Sequence, residues 1–355
     1  MGENAWVLRR GVHNPTASTP ARLPYSVRRT TAVDILRPDG LEGPLLLHGS
    51  GRDLGTHGDG SPVQFDSVHS TVAIDFVGGR IVVSADAGQM GPDLTALIGT
   101  RAGSGFRSAL AAALPHDARE HSLLHRVLDD VPVATVISGY ALTREDPAGA
   151  AVPIARTGAV PRADYCAGFA TGGVFIGGIE TNGTSPVVIG PPAPDLICGP
   201  DPLAWHQMKD LPAKGMRRLR RIDVRGEDEI VVDAMFRDSY VDEHCAETVV
   251  HEYHLDLTAR ADTLEIITAV ATPRVLPWPE CSGAVAAVNR LIGRTVPDIA
   301  PLVGGEFRGV GSCTHLNDLL RSVADVAELD EAGGLALMPR PSRPSRRQVR
   351  PEPTS

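Results

Sequence analysis

The chemistry this sequence offers is carried by two thiols and a nearby imidazole. Cys281 ends the run Pro273-Arg-Val-Leu-Pro-Trp-Pro-Glu-Cys281, and Cys313 stands in Gly311-Ser-Cys313-Thr-His315-Leu-Asn317-Asp318. Upstream of both, a strand-like run ends in Val250-His251-Glu252-Tyr253-His254. Thiolates and imidazoles are the donors of tetrahedral zinc and iron sites. Cys281, Cys313, His315 and His251 therefore form a candidate ligand set, with Glu252 and Asp318 as carboxylates to ligate or orient. The expected cofactor is zinc or iron, the latter as an ion or an iron–sulfur cluster. The same residues also suit a metal-free enzyme of acyl transfer or hydrolysis: Cys313 or Cys281 as nucleophile, His315 or His251 as base, and Glu252 orienting it. A third reading is a structural or interaction protein with inert thiols, since free cysteine is among the most buried residue types.

The elements around these residues set what they can do. After Cys281, Ser282-Gly-Ala-Val-Ala-Ala-Val-Asn-Arg-Leu-Ile-Gly293 reads as a short helix closed by glycine, so the thiol falls in its first turn. Free N–H groups and the helix dipole favour thiolate there. Cys313 repeats the arrangement before the run Asp318–Val326, which Thr314 or Asn317 would cap. Prolines at 273, 277 and 279 keep the approach to Cys281 out of regular structure. His251 and His254, three apart on a strand, point to opposite faces, which excludes the H-E-x-x-H zinc site of a helix.

Composition narrows the class. The chain has 355 residues, enough for two domains or a duplicated one, with ordinary hydrophobic (42%) and charged (22%) fractions. Only 4% of residues are aromatic, and Ala, Val, Leu, Gly and Arg abound, as in high-GC bacterial coding. A formal charge of −9 argues against a nucleic-acid partner. No apolar run reaches the ~20 residues of a membrane span, and the polar N-terminal residues lack a signal-peptide core. A cytoplasmic location is expected. Five cysteines, an odd number, do not form a secreted disulfide framework; Cys166, Cys198 and Cys245 have no partner at ligand spacing. The cluster Arg217-Arg218-Leu-Arg220-Arg221 reads as a salt-bridged strand start, and Arg52-Asp53 and Arg237-Asp238 as structural ion pairs.

Read in order, residues 1–24 are a flexible arm. Alternation gives hairpins over 27–48 and 68–85, then helices near 92–98, 105–114 and 120–129. Residues 217–326 repeat this order. Arg28, Arg29 and Asp34 match Arg217, Arg218 and Asp223; Arg52-Asp53 matches Arg237-Asp238; Val68-His69 matches Val250-His251; Leu97-Ile-Gly99 matches Leu291-Ile-Gly293; Leu124, Arg126 and Asp130-Val131 match Leu319, Arg321 and Asp325-Val326. The expectation is an α+β fold, an internally duplicated unit of antiparallel sheet plus helices arranged as a pseudo-dimer. The first repeat (25–131) has no cysteine and is structural; the second (216–328) carries the site. Residues 132–215 connect them, opening on a strand-like run at 133–142 and holding a short Gly-rich helix within 164–180. Residues 329–355 are expected to be disordered.

Two resemblances follow from these residues. The motifs Phe236-Arg-Asp-Ser-Tyr-Val-Asp242, Val250-His-Glu-Tyr253, Leu276-Pro-Trp-Pro-Glu-Cys281 and Cys313-Thr-His-Leu-Asn-Asp318 resemble an uncharacterised bacterial domain-of-unknown-function family over most of residues 25–328, which brings no activity with it. The second half, with its strand hairpin, loop cysteine, helix ending in Leu-Ile-Gly-Arg-Thr-Val and later cysteine before a helix, resembles the iron–sulfur scaffold fold of the IscU and NifU N-terminal type. That resemblance implies three cysteines, a histidine and an aspartate around zinc or a nascent cluster. Cys281 matches the middle cysteine and Cys313 the last. The first has no match, His251 or Glu252 standing near its place, and His315 follows the last cysteine where the family's histidine precedes it.

Overall fold

Nine strands form one antiparallel sheet in the computed structural model, which describes residues 11–145, 162–183, 186–197, 199 and 201–337. They are β1 (Val12–His13), β2 (Ser26–Leu36), β3 (Leu45–Thr56), β4 (Pro62–Asp75), β5 (Ile81–Asp86), β6 (Met216–Gly226), β7 (Glu229–Val241), β8 (Glu247–Arg260) and β9 (Ile266–Leu276). Their order is β1-β9-β8-β7-β6-β2-β3-β4-β5. The expected mixture of antiparallel sheet and helices is thus present. Two meanders, β2 to β5 and β6 to β9, meet where β2 pairs with β6.

Alternation explains β7 and β8, beside the central pair. Ile230, Val232, Ala234 and Phe236 on β7, and Tyr253, Leu255, Leu257 and Ala259 on β8, point to one side and are buried. They meet a helical layer made of α1 (Phe106–Ala113), α2 (Pro115–Arg119), α3 (Leu123–Asp129), α4 (Val131–Ile137), α5 (Gly139–Glu145), α6 (Val174–Asn182), α7 (Ile299–Glu306), α8 (Thr314–Ser322) and α9 (Val326–Leu337). One apolar cluster joins β6–β9 to α7, α8 and α9, and another joins β2–β5 to α1, α3, α4 and α5. The opposite face is covered by loops: Leu196, Ala204 and Trp205 pack on Ala32, Leu219 and Met235. No described helix is long and apolar enough to cross a membrane.

The two central strands break the apolar pattern. On them Arg28, Arg218, Arg220 and Arg221 are almost fully buried, as is Arg237 on the neighbouring β7. A guanidinium out of water needs a partner, and each has one. On one face Arg28 binds Asp223 at 2.6 Å, Arg217 binds Asp34 at 2.5 Å, and Arg221 binds Asp223 and Asp233. On the helical face Arg218 reaches Asp238 and Asp318, each at 2.7 Å, Arg220 reaches Asp130 and Asp318, and Arg29 reaches Asp53 and Asp325. The arginine cluster is salt-bridged as read. The Arg-Asp dipeptides pair outward rather than within themselves: Arg237 holds Glu252, and Arg52 donates to the Leu203 carbonyl.

Several expectations are corrected. The strand-like residues 133–142 are α4 and α5, because Pro132 sits in a first turn that needs no N–H and Val131, Ala134 and Ile137 bury one helical face. Residues 279–291 form a 3-10 helix rather than an α-helix. Its side chains eclipse every third residue, a crowding that Gly283, Ala284, Ala286 and Ala287 relieve. Cys281 therefore has no α-helix N-terminus beneath it. Residues 11–24 do not form a loose arm: β1 pairs with β9, Thr19 donates to the Leu196 carbonyl, and Arg22 binds Asp201. Helix α9 continues past residue 328 to Leu337. Residues 1–10 and 338–355 lie outside the described residues.

Candidate functional site

The site starts from the register of three strands. Across β6, β7 and β8, Arg218 stands opposite Asp238 and Asp238 opposite His251; one row along, Arg220 faces Phe236 and Phe236 faces Tyr253. A tight turn at Asp242–Ala246, held by the Asp242 carboxylate accepting from the His244 and Ala246 N–H groups, would set Asp238 against Val250. A bulge between Asp238 and Ser239 shifts the pairing by one and brings His251 there instead.

Helix α8 closes the site from above. Cys313 is its extended N-cap residue, so His315 lies in the first turn. Its ring stacks on His251 with centroids 3.8 Å apart and 21° between planes, and lies 6.3 Å from Phe236. Donor atoms of Asp238, His251 and His315 all lie within 4.8 Å of one another. Asp238 Oδ1 accepts from Arg218 at 2.7 Å, while Oδ2 lies 3.3 Å from His251 Nδ1 without a hydrogen bond. His315 Nε2 is also buried and has no hydrogen-bond partner among the described residues.

Electrostatics prepares these groups. Burial, then the neighbouring His251, pushes His315 well below the usual imidazole range, so one ring nitrogen keeps its lone pair free at neutral pH. Burial raises Asp238, but Arg218 and then His251 overcome it and hold the carboxyl below its ordinary value. The result is a neutral imidazole beside an ionised carboxylate, the state a divalent cation requires of its ligands.

The other expected residues are placed differently. Cys313 Sγ is 4.0 Å from His315 Nδ1 and so borders the cluster. Cys281 is buried beneath the 3-10 turn Ala167–Phe169, where a Cβ on Gly168 would come within 2.7 Å of its sulfur. Both thiols are raised by burial, Cys281 also by Cys313. Cys166, set aside on spacing, joins them, pushed up to about 11 by burial and by Cys313. Neither remaining carboxylate meets the imidazoles. Glu252 points to the other face, accepting from Arg237 Nε and Thr16 N at 2.6 Å each. Asp318 is enclosed by the guanidiniums of Arg107, Arg218, Arg220 and Arg321.

Asp238 is the site residue that sequence reasoning missed, because only the bulge puts it opposite His251. The hairpin spacing brings the two residues within one register step, which is the signal that was available. A second acid and imidazole group, Asp233, His254 and Asp256, lies on the opposite face, where Arg221 already binds Asp233.

Residues 216–328, which hold Asp238, His251, Cys281, Cys313 and His315, match the model of a family described as protein of unknown function (DUF2889). No curated protein and no solved structure matches the chain.

Proposed function

We propose that this chain is a metal-binding protein whose ion sits between Asp238, His251 and His315, with Cys313 as the neighbouring thiol. The observation that carries this is the meeting of three donors from β7, β8 and α8 within 4.8 Å, two of them imidazoles. Two imidazoles and a carboxylate suit zinc or ferrous iron. They favour a single ion over an iron–sulfur cluster, which asks for thiolates. Stacked rings aim their lone pairs along nearly parallel lines, so one ring must turn about its Cβ–Cγ bond as the ion enters. The metal-free thiol enzyme has less support, since burial keeps all three nearby thiols protonated. Free buried thiols suit a reducing compartment such as the cytoplasm.

The reading includes an internal duplication, supported by pairing symmetry. Along the β2–β6 seam, Arg28 pairs with Asp223 and Asp34 with Arg217, an exchange of matched residues. Arg29 opposes Asp53 as Arg218 opposes Asp238, and a bulge follows each aspartate. Arg29 reaches Asp325 as Arg218 approaches Asp130 at 3.6 Å. Counting from the bulges, His251 takes the place of Asp66 rather than His69. The first half thus keeps the arginine and aspartate frame and lacks the imidazole pair, like the inactive half of a pseudo-dimer.

Elemental analysis of chelator-stripped protein reloaded with Zn²⁺ or Fe²⁺ tests the site. One ion per chain is expected for the wild type and for Cys281→Ser, and none for His251→Ala. Equal retention by the wild type and both variants, or no uptake, removes this proposal.

A further inference from the structure

A cavity of about 330 Å³ opens between the helices of the two halves, away from the imidazole pair. Arg107 of α1, His125 and Arg126 of α3, and Arg321 of α8 line it, with Gly304 of α7 across from them. These arginines are already anchored by carboxylates, of which Asp129 itself lines the cavity. Arg107 binds Asp129 and Asp318, Arg126 binds Asp129 and Asp325, and Arg321 binds Asp318. Anchoring fixes each planar fork and leaves other N–H groups uncommitted. Arg321 Nε and His125 Nδ1 are buried and have no hydrogen-bond partner among the described residues. A buried donor without a partner is unfavourable, and a ligand oxygen would satisfy it. Burial and the neighbouring Arg126 push His125 below its ordinary value, so it meets a ligand as a neutral ring.

We infer that this cavity binds the oxyanion group of a small organic molecule, a phosphate ester or a carboxylate. Held guanidinium forks match either oxyanion in two-point contact. The volume exceeds what one oxyanion fills and sits at the lower end of small-ligand pockets, leaving room for an organic body along the Ala300 and Gly304 side. The site is independent of the metal reading.

Binding is measured by calorimetry and thermal shift on the full chain, with inorganic phosphate, phenyl phosphate, succinate and benzoate at constant ionic strength. Saturable binding by the phosphate pair or by the carboxylate pair supports the inference and tells the two sources apart. Arg321→Lys keeps a charge beside Asp318 but loses Nε, and should weaken binding about tenfold or more. Because that variant touches the buried network, Gly304→Leu serves as the second: a Cβ there meets nothing within 4 Å, so the side chain fills the cavity and leaves the ion pairs intact. It should abolish binding while the melting temperature without ligand is retained. No saturable binding by any of the four anions, or binding unchanged in Gly304→Leu, overturns the inference.

Discussion

Replacing Asp318 by Asn tests the charged layer that joins the helices to the sheet. The carboxylate is fully buried and accepts from Arg107 and Arg321 on Oδ1, at 2.8 and 2.9 Å, and from Arg218 and Arg220 on Oδ2, both at 2.7 Å. Those arginines hold it well below the usual carboxylate range against the opposing effect of burial. Asparagine keeps the shape, removes the charge and turns an NH₂ group toward guanidinium donors. Breaking a buried ion pair from one side costs about 3–5 kcal/mol, a large share of the 5–15 kcal/mol that typically holds a domain together. Urea denaturation followed by circular dichroism should show a loss of at least about 3 kcal/mol. Glu306→Gln is the control: its pair with Arg290 is 2.6 Å long but 44% and 52% exposed, and its loss should cost under about 1 kcal/mol. A change of less than about 1 kcal/mol in Asp318→Asn would refute the claim that this charge is an integral part of a compensated network.

Acid should unfold the protein in two stages. His206, pushed down to about 3 by burial and Arg52, and His315, also lowered by burial, are neutral in the fold. Their stabilisation is complete above the unfolded imidazole value of about 6.5 and falls as pH drops below it. Asp129, Asp318 and Asp325 are lowered by their arginines against burial, so their contribution is lost below about pH 4; Asp130, raised by burial, acts in the opposite sense. Melting temperatures from pH 8 to 3 should be level above about 6.5, decline below it and steepen near 4, whereas a level curve down to pH 5 would contradict the histidine part. For the thiols, alkylation at pH 8 in the folded state should modify exposed Cys245 while Cys166, Cys281 and Cys313 react only after denaturation. Rapid modification of Cys313 in the folded state would favour the nucleophile reading.

The hairpins over 27–48 and 68–85 were legible in the sequence because apolar and polar residues alternate there as in half-buried strands. The arginine cluster was legible as a salt-bridged strand, though its place at the sheet centre was not. Hydrophobic periodicity treats arginine as a surface residue, and the partners lie far off in sequence: Asp318 is 100 residues from Arg218, and Asp325 is 296 residues from Arg29. The imidazole pair was half legible. His251 and His315 stood out by type, but their third partner depended on a bulge that no turn signal announces. The thiols drew attention because prolines and small residues framed them, and that framing serves a 3-10 helix packed under Trp278 and Gly168.

The most direct measurement of the central claim is a crystal structure of the chain loaded with Zn²⁺, with anomalous difference density collected at the zinc edge. The account predicts one peak about 2.0–2.2 Å from a nitrogen of His251, a nitrogen of His315 and an oxygen of Asp238, with the two rings no longer stacked. Rings still stacked and no peak between them, or a peak among Cys166, Cys281 and Cys313 instead, would contradict it.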